Sequence, residues 1–430
     1  MHNNFLEKLK GLSRVNLTED FQMKQDQELQ VVVAGHICFD VIPAFQKSDK
    51  TQMTDIFIPG KLINMGSVKV STGGPVSNTG IALSILGINT KLMGKIGNDY
   101  FGEGVLKLLK ERNAEGGMVV VDGEETSYTV VIVPPGFDRI FLHNPGANNT
   151  FCADDVNYDI VREAKLFHFG YPPLMKKIFA NDGEELVKIF KRVKEMGVTT
   201  SLDMSLPDAS SDSGKADWGK ILERLLPYVD IYLPSVEESM FMIQREDFDY
   251  LNEHASGHDI LEKLDINKLQ GLGERLMTYG PKIVVIKCGI KGYYIQTQSK
   301  ERLASMGKAL PADLDNWSSR ELHEESFHVP HVAAATGSGD SSIAGFLSAY
   351  LNGKSIEEAI RIACAVGGQN VQVFDALSGI KTWQETLEMI PGWDKNKLVV
   401  DGDYWKLDDK KNVRVGKKDK NYNFIATCEM

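Results

Sequence analysis

Short apolar runs rich in β-branched residues alternate along the chain with segments whose apolar positions recur at helical spacing. Such runs suit strands covered on both faces, so the alternation predicts an α/β fold: a mostly parallel sheet between helices. Strands are expected at 29–36, 90–97, 164–170, 199–205, 230–234 and 282–289, and helices at 76–87, 100–113 and 183–197. Each of these helical segments ends at Gly or Asn, residues that close a helix cheaply. Two stretches break the rhythm. Residues 55–71 and 117–143 alternate like strands, with turn residues between them, and predict hairpins outside the main sheet. The polar stretches 244–275 and 296–327 read as surface insertions. Residues 1–28 read as an N-terminal extension, 29–394 as the main domain and 395–430 as a peripheral C-terminal extension.

Composition narrows the classes of function. A formal charge of −11 argues against a broad basic face for nucleic acid, so an anionic ligand must be held by local donors such as helix N-termini. The five cysteines (Cys38, Cys152, Cys288, Cys364, Cys428) are scattered without metal-site spacing, which fits a reducing compartment. The first residues lack a signal-type apolar run, and no stretch approaches the roughly 18 apolar residues of a membrane span. A cytoplasmic protein without a membrane or nucleic-acid partner is expected.

The chemistry concentrates in AAATGSGDSSIAGFLSAYLNG, residues 333–353. From Ile343 on, the apolar positions mark one helix face, and Gly353 closes the helix. Before it stands Thr336-Gly337-Ser338-Gly339-Asp340. Its glycines let the backbone turn tightly and aim first-turn N–H groups at an anion. Phosphoryl transfer needs such a hole, together with a carboxylate to orient and deprotonate the attacking hydroxyl, a task that suits Asp340. Taken alone, the turn is better explained by Asp340 or a neighbour capping a helix. A dinucleotide fingerprint is excluded because Ser342 stands where a third glycine is required. Gly353-Lys354-Ser355 is not a P-loop end, since Ser348 stands at the earlier glycine position. Ser355 with Glu358 reads as a capping box.

Three further segments precede this turn: VVVAGHICF followed by Asp40, Ser71-Thr72-Gly73-Gly74-Pro75-Val76-Ser77-Asn78, and Met93-Gly94-Lys95-Ile96-Gly97-Asn98-Asp99-Tyr100-Phe101-Gly102. With Asn144-Pro145-Gly146-Ala147-Asn148 and Lys287-Cys288-Gly289-Ile290-Lys291-Gly292, the order closely resembles the ribokinase-like, PfkB-type carbohydrate kinases from about residue 30 to about 385. The resemblance implies a three-layer α/β/α fold with a small β-sheet lid built from the two extended regions. It implies ATP as donor, Mg²⁺ as helper, a sugar as acceptor and a homodimer formed through the lids. Carried over by position, Asp40, Gly73, Gly74 and Asn78 bind substrate hydroxyls. Thr336, Gly337, Ser338 and Gly339 form the anion hole, with Thr336 beside the nucleotide, and Asp340 is the base. Lys287, Gly289 and Gly292 border the nucleotide, and Glu238 acts near Mg²⁺ through water. From the residues themselves, Arg139 in the second hairpin could reach an acidic or phosphorylated substrate, although a solvated arginine is the commoner case. His36, His143 and His168 read as packing or pocket-lining.

Four positions depart from the pattern. Ala334 replaces the Asp that helps hold a monovalent cation, which puts potassium dependence in doubt. Ser235 replaces the Asn of Asn-x-x-Glu, with a hydroxyl able to hold a water near the phosphates. Cys364 falls where an Asn lies beside the nucleotide, and Cys38 where an Asn would help read ribose. Two alternatives remain at this stage. One is a nucleoside kinase with Phe39, Phe101 or Tyr171 as a shelf for the base. The other is a sugar- or nucleotide-binding protein without catalysis.

Overall fold

The computed structural model describes residues 28–46, 52–114, 116–134, 139–255, 260–400 and 402–425. The expected N-terminal extension, apart from residue 28, lies outside these, as does Cys428. The strands in chain order are β1 (Val31–Gly35), β2 (Cys38–Pro43), β3 (Val68–Gly73), β4 (Thr90–Gly97), β5 (Met118–Val121), β6 (Tyr128–Ile132), β7 (Ile140–Asn144) and β8 (Leu166–Gly170). They continue with β9 (Thr199–Leu202), β10 (Ile231–Tyr232), β11 (Ile283–Lys287), β12 (Tyr293–Thr297), β13 (Glu321–Glu324), β14 (Trp405–Asp408) and β15 (Val413–Gly416). Eleven of them form one sheet in the order β14-β15-β13-β12-β11-β10-β9-β8-β1-β4-β5. From β5 through β11 every pairing is parallel, and from β11 to β14 every pairing is antiparallel. Two apolar clusters, one on each face, bury strands such as β1 on both sides. That is why these strands read as continuous apolar runs.

The chain runs outward from β1 through β4 to β5, then returns to the other side of β1 with β8 and proceeds to β11. Order therefore reverses at β1, and loops leaving the carboxyl ends of β1 and β8 open a crevice there. The Ser338–Leu351 helix packs over this place, against the Pro75–Ile85 and Ile356–Asn370 helices. It is buried nearly all round, and small residues such as Ala344 and Gly345 allow the close approach.

The second sheet has the order β3-β2-β6-β7. It differs from the hairpins expected at 55–71 and 117–143. The first contributes only its end, Val68 to Ser71, while Met53–Ile56 is a short helix. Met118–Val121 leaves the group and pairs in parallel with β4, extending the main sheet. The missing strand is β2, which carries Asp40 and runs parallel to β6. The Lys176–Glu195 helix covers the expected 183–197 segment as far as Glu195 but is broken at Ala180–Gly183 by non-helical backbone.

The two late segments are also more central than their polarity suggests. The 296–327 stretch supplies β13, and the C-terminal stretch supplies β14 and β15 at the sheet edge. Buried charge ties the latter down: Arg320 donates to Asp419 at 2.8 Å and to Glu357 at 2.9 Å.

Candidate active site

The crevice gathers residues that sit at the carboxyl ends of parallel strands: His36 after β1, Tyr171 after β8, Asp203 after β9 and Lys287 at the end of β11. Asp340 faces them from the first turn of the Ser338–Leu351 helix. It is not the cap. Gly337 holds that position with φ +70°, a left-handed conformation suited to glycine, and an added Cβ would lie 2.5 Å from Ala376 Cβ. The Asp340 side chain is 1% exposed and reaches the Pro75–Ile85 helix. Its Oδ2 accepts from Asn78 Nδ2 at 2.9 Å and from Tyr171 Oη at 3.0 Å, while Oδ1 accepts from Thr79 Oγ1 at 3.3 Å. Burial raises its pKa, and these three donors together with the Lys287 charge oppose that rise.

Lys287 binds Asp203 and donates to the Leu233 carbonyl at 2.6 Å. Its Nζ stands 3.9 Å from Glu238 Oε2. Burial would lower the Lys287 pKa, but the carboxylates of Asp203 and Glu238 raise it, so the ammonium is held charged. Burial pushes the Asp203 carboxyl up, against the pull of Lys287. A Cβ on Gly339 would come 3.7 Å from Lys287 Cε, which places this cation beside the glycine turn. A positive charge and first-turn N–H groups, which helix geometry leaves without an intrahelical acceptor, thus share one corner.

The other wall is the small sheet. Asp40, Thr129 and His143 lie side by side across β2, β6 and β7. Cys38 Sγ donates to Asp40 at 3.2 Å, and Thr129 bonds His143 Nδ1 at 3.0 Å. Burial raises the Asp40 pKa to about 6, partly offset by hydrogen bonds from Cys38 and Thr129. Gly73 has no room for a side chain, because a Cβ would meet the Asp40 carboxylate oxygens at 2.5 and 2.7 Å. Gly74, with φ +85°, caps the Pro75–Ile85 helix against His36. Asn78 Oδ1 and both ring nitrogens of His36 are buried with no hydrogen-bond partner among the described residues. Buried polar atoms rarely stay unpaired, so this wall is suited to a ligand rich in hydroxyls.

Other expected site residues lie elsewhere or are engaged locally. Ser235 and Glu238 cap one another: Ser235 N–H donates to Glu238 Oε2 at 2.6 Å, and Glu238 N–H to Ser235 Oγ at 3.1 Å. The Thr336 carbonyl accepts from Asn370 Nδ2 at 3.0 Å, and Ser338 Oγ donates to the Gly367 carbonyl at 3.3 Å. Gly289 and Gly292, at φ +50° and +95°, form the turn between β11 and β12. Cys364 is buried in a core cluster, so its thiol packs among apolar groups. Arg139 lies over the Phe141 ring at 5.9 Å, on the strand face that carries His143. Of the expected shelf, Phe39 stacks on Phe101 at 5.2 Å between the small sheet and the Tyr100–Glu111 helix. His168 is buried below the site, its Nδ1 bonded to Ser201 at 2.9 Å.

Sequence reasoning missed Asp203, Thr79 and the role of Tyr171. A signal existed for two of them. Tyr171 directly follows the predicted strand 164–170 and Asp203 lies near the carboxyl end of the predicted strand 199–205, where an open parallel sheet places its ligand groups. Conversely, two quoted motifs are structural here. Asn148 clamps the bend after β1, donating to the Ile37 carbonyl at 2.8 Å and accepting from Ile37 N–H at 3.3 Å. Asp99 accepts from the Gly102 and Thr126 N–H groups, both at 2.8 Å, joining a helix start to the approach to β6.

Comparison with known proteins agrees with this architecture. The pfkB family carbohydrate kinase profile matches residues 28–383. A protein of Archaeoglobus fulgidus described as an uncharacterized sugar kinase is 24% identical over 300 residues, covering 70% of this chain and 98% of its own. The fructokinase of Solanum tuberosum is 25% identical over 334 residues, covering 74% and 86%. Arabidopsis thaliana ribokinase, solved with ribose and ATP, superposes with a TM-score of 0.61 at 21% identity, over 85% of this chain and 99% of that one. Among the described residues no helix is long and apolar enough to cross a membrane.

Proposed function

Since this chain belongs to the pfkB family of carbohydrate kinases, we propose that it transfers the γ-phosphoryl group of ATP to a hydroxyl of a small neutral sugar, with Asp340 as the base. The observation that carries this reading is the Asp340 carboxylate, oriented by Asn78, Tyr171 and Thr79 at a glycine turn beside Lys287. Asp40 and Asn78 accept substrate hydroxyls, with Gly73 and Gly74 letting the sugar approach the backbone. The chosen hydroxyl donates to Asp340, its oxygen attacks the γ-phosphorus, the bond to the bridging oxygen breaks, and ADP leaves with its electron pair. First-turn N–H groups at Gly337–Asp340, with Lys287, stabilise the charge on the transferred group. The glycine turn 289–292 borders the nucleotide, along with Thr336. Ser235 and Cys364 carry less of this reading, because one is a helix cap and the other is buried in the core.

Magnesium fits as a passenger of the nucleotide. Glu238 and Asp203 offer carboxylates around Lys287, and among the described residues no group of three or more His, Cys, Asp or Glu is arranged to hold a metal alone. Such a donor set suits an ion kept mainly by phosphates and water, with Glu238 acting through water. Bound there, it would neutralise phosphate charge during transfer. Ala334 offers no carboxylate for a monovalent cation.

Packing favours a sugar over a nucleoside. Phe39 and Phe101 are spent on each other and on Tyr128, and Tyr171 is tied to Asp340, so no aromatic shelf is left among the three. Arg139 and Phe141, on the strand face that carries His143, would meet the far end of a longer or acidic acceptor. The outward face of the small sheet exposes Val68, Val70, Ile140 and Leu142, and we assign it to pairing with a second copy of the chain.

The test is ADP release with ATP and D-fructose or D-ribose, comparing wild type with Asp340→Asn. Turnover in the wild type, with a fall of about a thousandfold or more in the variant, is expected. Sugar binding without turnover in the wild type would favour the non-catalytic alternative. Turnover of nucleosides alone would overturn the acceptor class.

A further inference from the structure

Tyr171 closes β8 in the left-handed region, at φ 60° and ψ 46°, and is followed directly by Pro172. A side-chain-bearing residue is strained there, and a following proline narrows its choices further. Strain of this kind persists where surrounding contacts fix it, commonly at a functional site. Here it aims the phenol at Asp340, whose Oδ2 it reaches at 3.0 Å. Asn78 Nδ2 occupies the same oxygen at 2.9 Å, whereas among the described residues Oδ1 has only the longer contact from Thr79 at 3.3 Å. The two carboxylate oxygens are therefore unequal. One is held by two donors, and the other keeps lone-pair capacity for a substrate hydroxyl.

We propose that Tyr171 is a positioning residue for the base: its hydroxyl, with Asn78, locks Oδ2 and leaves Oδ1 as the oxygen that takes the substrate proton. This rests on the reading of Asp340 as the base. The groups facing the pair are Lys287, Asp203 and Glu238 on the nucleotide side and His36, whose ring lies 6.4 Å from that of Tyr171. Burial raises the phenol pKa well above its ordinary value, with the Asp340, Asp203 and Glu238 charges adding to the rise. The hydroxyl thus stays a donor throughout the working range. It bonds the ionised form of Asp340 and therefore opposes the rise that burial causes.

The experiment is the pH profile of kcat at saturating ATP and sugar, with whichever of D-fructose or D-ribose the wild type turns over, for wild type, Tyr171→Phe and Asp340→Asn. Tyr171→Phe keeps the ring and removes one donor from the ionised carboxylate, so Asp340 gains its proton more easily. The acid limb of kcat should move up by about one pH unit, and the plateau should fall by about tenfold. The KM for sugar should change little. A Tyr171→Phe profile that superposes on wild type, or drops equally at every pH, overturns the positioning role while an inactive Asp340→Asn still upholds the base. An active Asp340→Asn overturns the base itself. Replacing Tyr171 by 3-fluorotyrosine strengthens the donor without changing the fold, and should move the acid limb down. An upward shift or none there also counts against the proposal.

Discussion

At the scale of single residues, the roles proposed for Asp340 and Asp40 differ because their surroundings differ. Burial raises both pKa values; Asp340 has three donors and a nearby cation against that rise, whereas Asp40 has one thiol and one hydroxyl, and its pKa rises to about 6. In the role proposed for it, an ionised Asp40 would accept two sugar hydroxyls, and a protonated one would have to spend a proton on one of them. Asp40 is ionised above its pKa, so sugar binding is complete there and weakens as pH falls through about 6. The KM for sugar should therefore rise on the acid side of about 6, independently of kcat. Asp40→Asn should raise KM about tenfold or more and remove that dependence. A KM that stays flat from pH 7 to 5 in the wild type would remove Asp40 from the sugar wall. Asp40 was legible in the sequence only through its neighbours: next to a strand it reads as a turn residue, and nothing local shows that Gly73 exists to clear its carboxylate. Thr79 was not legible at all, since a threonine inside a helix is ordinary until Asp340 is folded against it.

At the scale of elements, the parallel core was the most readable part. Both faces of β1, β8 and β11 are covered, which writes unbroken apolar runs into the sequence. The small sheet was readable as extended chain but not as pairing, because strand partners are set by the fold. β5 and β6 share the same alternating pattern, yet β5 joins the main sheet and β6 pairs with β2. The outward residues of the small sheet are also apolar. Val70 and Leu142 are 47% and 52% exposed on the face away from Asp40, in line with Val68 and Ile140. A row of this kind normally marks a surface that another protein covers. Light scattering should give the wild type twice the mass of one chain. Val70→Lys combined with Leu142→Lys should give one chain mass, because facing lysines leave charge buried in the contact. A monomeric wild type at micromolar concentration would remove the pairing assigned to this face.

At the scale of the whole molecule, the least legible feature was the C-terminal segment, whose mixed charges read as solvated tail. Folded, those charges are partners. Asp419 is 4% exposed and accepts from Arg320 Nε at 2.8 Å and from Glu321 N–H at 2.9 Å. Glu357 takes the other side of the same guanidinium, with Asn316 and Lys411 completing it. Burial alone would raise the Glu357 pKa, but the Arg320 charge and those hydrogen bonds bring it down to about 2. A carboxyl depressed by folding contributes stability that is present above its unfolded pKa and is lost as pH falls toward the folded one. Stability should therefore decline between the ordinary glutamate pKa of 4.5 and about 2 as this cluster is protonated. At neutral pH, Asp419→Ala leaves Arg320 with one carboxylate in place of two, in a setting where water cannot substitute. The cost expected for breaking a buried pair is about 3–5 kcal/mol, read as a lower denaturant midpoint. A dispensable tail would lose less than about 0.5 kcal/mol. Adding Arg320→Leu to Asp419→Ala should deepen the loss, because buried Glu357 then keeps only Lys411 and Asn316 against its own burial. If the single variant unfolds at the wild-type midpoint, the segment is peripheral after all, and the edge formed by β14 and β15 is not part of the cooperative unit.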